Sequence, residues 1–388
     1  MTEAQEARRV LGAGPMTGSV VAGFEPVRDQ FEAYLSADPS YSAQLSVYHR
    51  GEPVVDLVGG PHLAADSVTG LFSASKGIAA IAFAMLVDDG QIALDRPVAA
   101  YWPEFAANGK ETISVRQLLS HTAGLLGVPG GFRDEEVLAS DAAAARIAAE
   151  PPIWRPGVAV GYHGLTMGIF MEELTRRVTG GSLRELYESR IRLPRDIDVF
   201  LGLPEAEEKR FVPVRPLVLA GDETVGGFAP DGLAGLAFNN VNNPVPLDQI
   251  YLSPNNRAVR AAGPAALGAI GSARGVARAY AAALGHVGAR VLSAAGIAAV
   301  SQLQAWGTDR ILNKTASFAV VFETPAPGFE FGSYQAFGHS GASGAMGLAD
   351  PLYDMALGYV PNPMQHPASA GDKAVRLSLL ARQAIARR

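Results

Sequence analysis

Apolar positions near the beginning of the chain predict a helix followed by a β-hairpin. Val27, Phe31 and Leu35 recur at helical spacing, which is typical of one amphipathic face. The apolar segments 43–48 and 53–58 then flank a short polar stretch that contains glycine, a pattern that predicts two strands joined by a turn. One helix and one hairpin do not complete a sheet layer, so we expect further strands from elsewhere in the chain.

Short apolar segments near the other end of the chain supply those strands. Segments 318–322, 345–349 and 355–360 are separated by Gly, Pro and Asp, which favour turns. Helical periodicity then returns over residues 372–387. Strands at both ends with helices between them predict an α/β domain whose sheet is built from both termini.

The middle of the chain is predicted to be mostly helical. The pattern favours five helices there: 76–89, 115–119, 141–149, 166–178 and 183–189. We therefore divide the chain into a discontinuous α/β domain, residues 1–72 and 265–388, and an inserted, mostly helical domain, residues 73–264. Within the insertion, residues 203–259 are rich in Pro, Gly and Asn and lack periodicity, which predicts long loops over a surface or cleft.

Composition and charge narrow the classes of function. The 388 residues carry a formal net charge of -6 and only 18% charged residues, so the chain offers no strong positive field for nucleic acid or for an anionic membrane. The longest apolar run, residues 78–87, is about half of the roughly 20 residues that span a bilayer. Residues 1–24 contain no apolar stretch of signal-peptide type, so we expect a cytoplasmic protein without membrane or nucleic-acid partners.

The residue types available for chemistry favour serine as a nucleophile. The chain contains no cysteine, which excludes disulfides, thiolate nucleophiles and cysteine-ligated zinc. Its seven histidines show no His-Glu-x-x-His or similar spacing, so no metal site is predicted. The Gly-x-Ser-x-Gly turn of α/β-hydrolases is also absent from the sequence.

Ser73 and Lys76 form the strongest candidate pair for catalysis. The segment 71–77 lies where a strand-like stretch gives way to an apolar helix, which places Ser73 at the helix N-terminus. A spacing of three residues puts the lysine amine on the same helical face as the serine hydroxyl. The helix end and the backbone N–H of Ser73 can also stabilise an oxyanion formed on a substrate carbonyl.

Lys76 can act as a base only if its pKa is lowered, because lysine is normally protonated. Residues 78–86 are apolar around the whole helix circumference, so we expect a buried helix and a lysine with little water nearby. A Ser-x-x-Lys spacing also arises by chance in a chain of this length. Here it is the only match in the sequence, and its position at the start of a buried helix favours a catalytic role.

Further segments of the chain complete a resemblance to a known family. In addition to Ser-x-x-Lys, the relevant segments are 118–125 (LLSHTAGL), 154–157 (WRPG), 161–164 (GYHG) and 339–341 (HSG). Together they resemble the motifs of the serine β-lactamases and penicillin-binding proteins, and particularly of the class C-like esterases called family VIII carboxylesterases. The resemblance implies a β-lactamase/transpeptidase-like fold, an antiparallel sheet flanked by helices with an inserted helical domain.

The resemblance also implies roles for individual residues. A phenolate at Tyr162, or a Tyr162 that shares its own proton with Lys76, would take the proton of Ser73 and pass it to the leaving group. The backbone N–H groups of Ser73 and Ala342 would form the oxyanion hole. His121 would be structural, holding loops near the site, and no cofactor is implied. The implied substrate-binding positions are Trp154, Gly164, His339, Ser340 and Gly341.

Two alternatives stay open for these motifs. Tyr162 can instead simply pack at a helix entrance. The tripeptide Lys314-Thr315-Ala316 competes with residues 339–341 for the third motif, although it lacks the glycine that would let a substrate approach the strand backbone.

Departures from the lactamase pattern favour an ester substrate. Gly164 stands where an asparagine amide would hold the acylamino group of a penicillin, and His339 stands where a lysine would attract its carboxylate. We therefore expect a serine carboxylesterase that cleaves small carboxylic esters through an acyl-enzyme on Ser73. An amide or β-lactam hydrolase on the same scaffold (β-lactamase, D-aminopeptidase or oligoamide hydrolase) is the first alternative, and a non-catalytic binding protein is the second.

Overall fold

The computed structural model describes residues 8–10, 16–217, 228–242, 252–365 and 371–388. The strands of this part are β1 (Arg8–Val10), β2 (Met16–Val21), β3 (Ser42–His49), β4 (Glu52–Gly59), β5 (Thr69–Gly70), β6 (Val199–Phe200), β7 (Ile270–Gly271), β8 (Ala305–Thr308), β9 (Thr315–Phe318), β10 (Phe337–Ser340), β11 (Met346–Asp350) and β12 (Met355–Asn362).

The α-helices of the same part include the seven that the sequence predicted and six that it did not predict. They are α1 (Glu25–Ala37), α2 (Ala74–Asp88), α3 (Val115–Leu119), α4 (Asp134–Ala139), α5 (Asp141–Ala148), α6 (Thr166–Thr179), α7 (Leu183–Tyr187), α8 (Leu193–Arg195), α9 (Leu233–Ala237), α10 (Arg257–Ala262), α11 (Ala273–Ala283), α12 (Ala294–Ser301) and α13 (Gly371–Ala386). A π-helical turn, Glu188–Arg192, joins α7 to α8. Short 3-10 helices lie at Val98–Ala100, Pro103–Ala106, Glu205–Arg210 and Pro351–Tyr353.

The main sheet has seven strands in the order β1-β2-β4-β3-β12-β11-β10. Every neighbouring pair is antiparallel, and β12 from the end of the chain pairs with β3 from its beginning. The two termini therefore build one sheet, which confirms the predicted α/β class. Two smaller sheets, β5-β7-β6 and the hairpin β8-β9, lie in the rest of the described chain.

One face of the main sheet is covered by the helices from both ends of the chain. Phe31 of α1 and Leu377 of α13 are buried in the same apolar cluster as Leu357 and Tyr359 of β12. Side chains alternate between the two faces of a strand, so Leu357 and Tyr359 point to this side while Ala356 and Val360 belong to the cluster on the other side. The terminal helices thus cover one face of the central strands of the sheet.

Helix α11 packs against the opposite face, where small residues let it come close. A side chain at Gly358 of β12 would collide with the carbonyl oxygen of Ala273, and one at Gly347 of β11 would collide with the ring of Tyr280. The absence of a Cβ atom at both positions brings the helix backbone against the sheet.

Helix α2 lies between α11, the edge strand β10 and the helices of the middle region. Its residues 74–86 are all buried, as expected for a helix that is apolar around its whole circumference. The helix ends at Asp88, and Gly90 follows in a left-handed conformation with φ of 72°. Ser73 directly precedes the first residue of this helix and is half-buried.

The predicted strand over residues 318–322 is wrong beyond Phe318. Strand β9 ends there, and the chain turns back so that the N–H of Ala319 donates to the carbonyl of Phe322. Val321 has a φ of 67°, which a β-branched residue rarely adopts, so its β propensity does not decide its conformation. Glu323, the first residue after this turn, lies beside strand β10 and forms an isolated antiparallel bridge with Gly338.

The predicted long loops over 203–259 are interrupted by short helices at 205–210, 233–237 and 257–262. Residues 218–227 and 243–251 of this stretch lie outside the described residues. One apolar cluster contains residues from both proposed domains, for example Ala349 and Phe170, and the division at residues 72/73 and 264/265 stays a prediction. Within the described ranges, no helix is both long enough and apolar enough to cross a membrane.

Substitution of Gly77 by alanine tests whether the close packing around α2 contributes to stability. A Cβ atom at this position would collide with the hydroxyl of the fully buried Tyr280 and lie 3.0 Å from the Cβ of His339. We expect Gly77→Ala to lower the free energy of unfolding by about 1–3 kcal/mol, although alanine favours helix. Denaturant unfolding followed by circular dichroism would measure this loss.

A second substitution separates this collision from other effects of alanine at position 77. Tyr280→Phe removes the hydroxyl, so Gly77→Ala should cost much less in the Tyr280→Phe background than in the native chain. Equal costs in the two backgrounds would show that the Tyr280 hydroxyl does not limit this position.

Candidate active site

Ser73 lies at the junction between strand β5 and helix α2. The N–H of Leu71, directly after β5, donates to the carbonyl of Ala269, directly before β7. The next residue, Phe72, has a left-handed φ of 47°. This turn places Ser73 at the helix N-terminus, half-buried, while the neighbouring Ser75 is fully buried and its Oγ accepts the N–H of Ala269. Ser73 is therefore the accessible serine of the segment, and Ser75 connects two backbone segments.

Lys76 is fully buried one helical turn after Ser73. Its Nζ donates to Ser73 Oγ at 3.2 Å and to the carbonyl oxygen of Ala266 at 2.7 Å. Burial lowers the pKa of Lys76 to about 7, and the negative charge of Glu323 partly opposes this fall. At neutral pH a large fraction of Lys76 therefore carries no charge.

Tyr162 is buried on the other side of the same amine. Its ring centroid lies 5.0 Å from Lys76 Nζ. Burial raises the pKa of the Tyr162 phenol, and hydrogen bonding by Ser73 opposes the rise in part. The structure thus brings the three predicted catalytic residues together, with Tyr162 as a neutral phenol.

Residues 339–341 form the wall of the site on strand β10 and just after it. A side chain at Gly341 would collide with the carbonyl of Leu71 and lie 3.2 Å from the N–H nitrogen of Ala74. Glycine is therefore required for strand β10 to reach the turn that carries Ser73. Ala342, the predicted second donor of the oxyanion hole, follows directly at this point of contact.

His339 lies fully buried behind the site. Its Nδ1 donates to the carbonyl of Ser340 at 2.8 Å, and its ring centroid lies 6.2 Å from that of Tyr162. Burial lowers the pKa of His339 to about 4, so the imidazole is neutral at physiological pH. His339 thus offers no positive charge to a substrate.

Glu323 is a residue of the site that the sequence analysis missed. Its carboxylate accepts the backbone N–H of Ser340 at 2.6 Å and the Ser340 hydroxyl at 3.0 Å. Its negative charge raises the pKa of both Lys76 and His339. Glu323 belongs to no recognised sequence motif. It reaches the edge of β10 because the chain turns back after β9.

Comparison with known proteins identifies the family. The family model described as Beta-lactamase matches residues 27–381. The chain belongs to the beta-lactamase family.

Relatives within the beta-lactamase family cover nearly the whole chain. The esterase/beta-lactamase LipL of Mycobacterium tuberculosis is 32% identical over 361 residues, which span 88% of this chain and 82% of LipL. The structure of EstA from Arthrobacter nitroguajacolicus Rue61a is 47% identical with a TM-score of 0.89, covering 95% of this chain and 98% of EstA. A family VIII carboxylesterase structure is 31% identical with a TM-score of 0.83, covering 95% of this chain and 99% of that one. The predicted β-lactamase-like fold is confirmed, and the chain is a serine hydrolase of this fold.

Gly164 marks where this member departs from the beta-lactamase pattern. A Cβ atom there would lie 2.7 Å from the carbonyl oxygen of Ala237 and 2.9 Å from the ring of Phe238. The space that an asparagine side chain would need is therefore filled by α9 and the residue after it. Phe238 stacks on the half-exposed ring of Phe228 and lies 6.1 Å from the Tyr162 ring, so an aromatic wall leads outward from the site.

Trp154 and the competing third motif, residues 314–316, make their contacts on elements other than strand β10. Trp154 Nε1 donates to the carbonyl of Thr122 at 3.1 Å, and the indole packs against Gly161. It thereby supports the loop that carries Tyr162. Lys314 and Thr315 are exposed at the beginning of β9, on the β8-β9 hairpin and not on strand β10.

The histidines near the site are used for hydrogen bonds within the fold. His121 Nδ1 accepts the N–H of His163, while His163 binds the carbonyl of Gly161 and the N–H of Leu125 through its two ring nitrogens. Burial lowers the pKa of His163 to about 4 and holds the pKa of His121 well below its usual value. Across the described ranges, no three His, Asp or Glu side chains are placed to hold a metal ion.

Glu323→Gln tests the electrostatic link between this carboxylate and Lys76. The glutamine keeps an oxygen that can accept the Ser340 N–H but removes the negative charge, so the pKa of Lys76 should fall below its value of about 7. An NMR titration of the protein with 13Cε-labelled lysine would measure this directly, because the chain has only five lysines.

The exposed Glu135 provides a matched control for this titration. Glu135→Gln removes the same charge from a residue that does not contribute to the lowered pKa of Lys76, and it should leave the Lys76 titration unchanged. A Lys76 pKa that is the same in Glu323→Gln and in the native protein would contradict the assigned electrostatic effect.

Proposed function

We propose that this protein is a carboxylesterase that cleaves small carboxylic esters through an acyl-enzyme on Ser73. The observation that carries the proposal is the buried amine of Lys76, which lies 3.2 Å from Ser73 Oγ and has a pKa lowered to about 7. A neutral amine in this place can take the hydroxyl proton. The names of LipL, EstA and the family VIII carboxylesterase support an esterase.

In the acylation step, Ser73 Oγ attacks the carbonyl carbon of the ester while its proton passes to Lys76 Nζ. The carbonyl electrons move to the oxygen, where the N–H groups of Ser73 and Ala342 and the N-terminus of α2 stabilise the negative charge. The tetrahedral adduct then collapses and the ester C–O bond breaks. Tyr162 donates its proton to the leaving alkoxide and is reprotonated by Lys76, so the alcohol departs neutral.

Deacylation repeats these steps with water in place of the serine. Lys76 again accepts a proton, now from water by way of Tyr162, and the second adduct collapses with cleavage of its bond to Ser73 Oγ. Lys76 returns its proton to Ser73 Oγ and the carboxylic acid leaves. The carbonyl of Ala266 accepts one N–H of the lysine throughout and so fixes its direction. These steps need no cofactor.

Two features of the site favour esters over β-lactams. Phe238 fills the place of an amide that would hold an acylamino group, and the neutral His339 provides no charge for a carboxylate. Because the name of LipL includes beta-lactamase, a lactam hydrolase stays the alternative.

Ser73→Ala tests the nucleophile and the substrate class together. The native protein should hydrolyse p-nitrophenyl butyrate at least about 100-fold faster than nitrocefin or a peptide p-nitroanilide, and a fluorophosphonate probe should label it. Ser73→Ala should abolish labelling and lower kcat by about a thousandfold or more, because the acyl-enzyme cannot form.

Ser36→Ala, on the exposed side of α1, is the matched control and should behave as the native protein. Comparable rates on the ester, the lactam and the amide would overturn the preference for esters. Unchanged labelling of Ser73→Ala would overturn the nucleophile.

The pH dependence tests Lys76 as the base. Since only the neutral amine accepts a proton, kcat/KM for the ester should rise with pH, reach half of its upper value near pH 7, and fall about tenfold per pH unit well below that. Initial rates between pH 5 and 9 in buffers of constant ionic strength would measure the profile. A flat profile between pH 6 and 8 in a stable protein would exclude this role.

A further inference from the structure

Asp309 is a fully buried carboxylate at the connection between β8 and β9. Its Oδ1 accepts three backbone N–H groups, those of Ile311 at 2.7 Å, Leu312 at 2.9 Å and Tyr162 at 3.2 Å. Two of these bonds are local and shape the hairpin connection. The third reaches 147 residues along the chain to the tyrosine of the site.

The hairpin holds the tyrosine loop at a second point. The N–H of Arg310, next to Asp309, donates to the carbonyl of Val160 at 3.0 Å. The hairpin connection therefore contacts the residue two positions before Tyr162 as well as Tyr162 itself. Apolar packing supports the same contact, because Ile311 and Phe318 of the hairpin lie in one cluster with Tyr162.

His121 fixes the residues on both sides of Tyr162. Its carbonyl accepts the N–H of Gly161 at 3.0 Å, and its ring Nδ1 accepts the N–H of His163 at 2.9 Å. Three consecutive N–H groups, at positions 161 to 163, are thus held by groups outside the loop. Asp309 provides the only one of these three acceptors that binds Tyr162 itself.

Burial of a carboxylate is costly unless hydrogen bonds compensate for the lost hydration. Three N–H groups on Oδ1 provide that compensation, whereas Oδ2 has no hydrogen-bond partner among the described residues. Burial is the main cause of the raised pKa of Tyr162, and the negative charge of Asp309 adds to it. Of the three residues proposed for catalysis, Tyr162 is the one whose N–H binds Asp309.

We infer that Asp309 is a positioning residue that holds Tyr162 in place for proton transfer to the leaving group, an inference that rests on the proposed function. The Tyr162 ring must stay beside Lys76 Nζ and Ser73 Oγ to pass a proton between Lys76 and the substrate. A displacement of about 1 Å can reduce such a step by about 100-fold. Asp309 limits the displacement because its bond to the Tyr162 N–H anchors the backbone from which the ring projects.

The test uses the leaving group of the ester as a specific readout. An alkyl alkoxide needs a proton to depart, whereas p-nitrophenolate does not, so only alkyl esters depend strongly on Tyr162. The quantity measured is the ratio of kcat/KM for p-nitrophenyl butyrate to kcat/KM for ethyl butyrate. Tyr162→Phe should raise this ratio, because it slows the ethyl ester more.

Asp309→Ala should raise the same ratio by about tenfold, with KM for either ester little changed. Asp309→Asn keeps an oxygen for the three N–H groups and should return the ratio to within about threefold of the native value. Adding Asp309→Ala to Tyr162→Phe should leave the ratio of the Tyr162→Phe protein unchanged, because the residue acts through the missing hydroxyl.

Two further variants keep the test decisive if stability changes. Asp309→Ser retains a short oxygen for the local N–H of Ile311 but does not span the distance to Tyr162, so it replaces Asp309→Ala if that variant does not fold. Asp350→Ala removes another fully buried carboxylate, which binds the backbone N–H and the hydroxyl of Ser333 and not the Tyr162 loop. It should lower stability without raising the ratio.

The possible failures are distinguishable. A ratio that is unchanged in folded Asp309→Ala or Asp309→Ser, while Tyr162→Phe raises it, would overturn the inference and leave the proposed function intact. An equal rise in the Tyr162→Phe background would assign Asp309 a general structural role and also overturn the inference. A Tyr162→Phe protein with native rates on both esters would instead overturn the proposed role of Tyr162.

Discussion

The burial of one amine is the constraint on which the rest of this site depends. Lys76 is fully enclosed, and a charged ammonium in such surroundings loses hydration that the protein does not fully replace. Burial on the apolar helix α2 produces this effect, and the charge of Glu323 opposes it in part, while the carbonyl of Ala266 accepts one N–H of the amine. The balance leaves a pKa of about 7, near the value at which an amine can both accept and return a proton under neutral conditions.

The packing that buries the amine is also the packing that assembles the site. Strand β10 approaches the start of α2 closely because glycine occupies both sides of the contact, Gly77 on the helix and Gly341 after the strand. Side chains at these positions would separate the strand from the turn that carries Ser73, which would admit water to Lys76. Stability and chemistry are therefore coupled at this contact, and a substitution that loosens it would alter the pKa as well as the fold.

Local patterns explain what the sequence could predict. Ser73 and Lys76 lie one helical turn apart, so their spacing and the apolar residues after them were enough to place both groups and to anticipate burial. Tyr162 and residues 339–341 needed the family resemblance, because nothing local distinguishes a tyrosine of the site from a core tyrosine. The structure places these groups together, and their roles in the reaction stay predictions.

Long-range contacts explain what the sequence could not predict. Glu323 reaches Ser340 only because Val321 takes a left-handed turn against its propensity, and the same turn ends the strand that was predicted there. Asp309 contacts Tyr162 across 147 residues, and Phe238 fills the space beside Gly164 from a stretch that was predicted to be loop. None of these three residues belongs to a motif, so their positions follow from tertiary packing alone.

The aromatic side chains and the imidazole around the site are uncharged, and this property affects the proposed preference for esters. An ionised substrate group loses water on entering a buried site, and only a charged or hydrogen-bonding partner offsets that loss. At the two positions where a lactamase would provide such partners, this chain has the neutral His339 and the ring of Phe238 beside Gly164. A small uncharged ester has no such group to desolvate, and the aromatic wall from Tyr162 through Phe238 to Phe228 would stabilise its apolar parts by contact. The same substitutions that weaken recognition of a carboxylate therefore favour an uncharged acyl compound, without any change in the residues proposed to carry out the reaction.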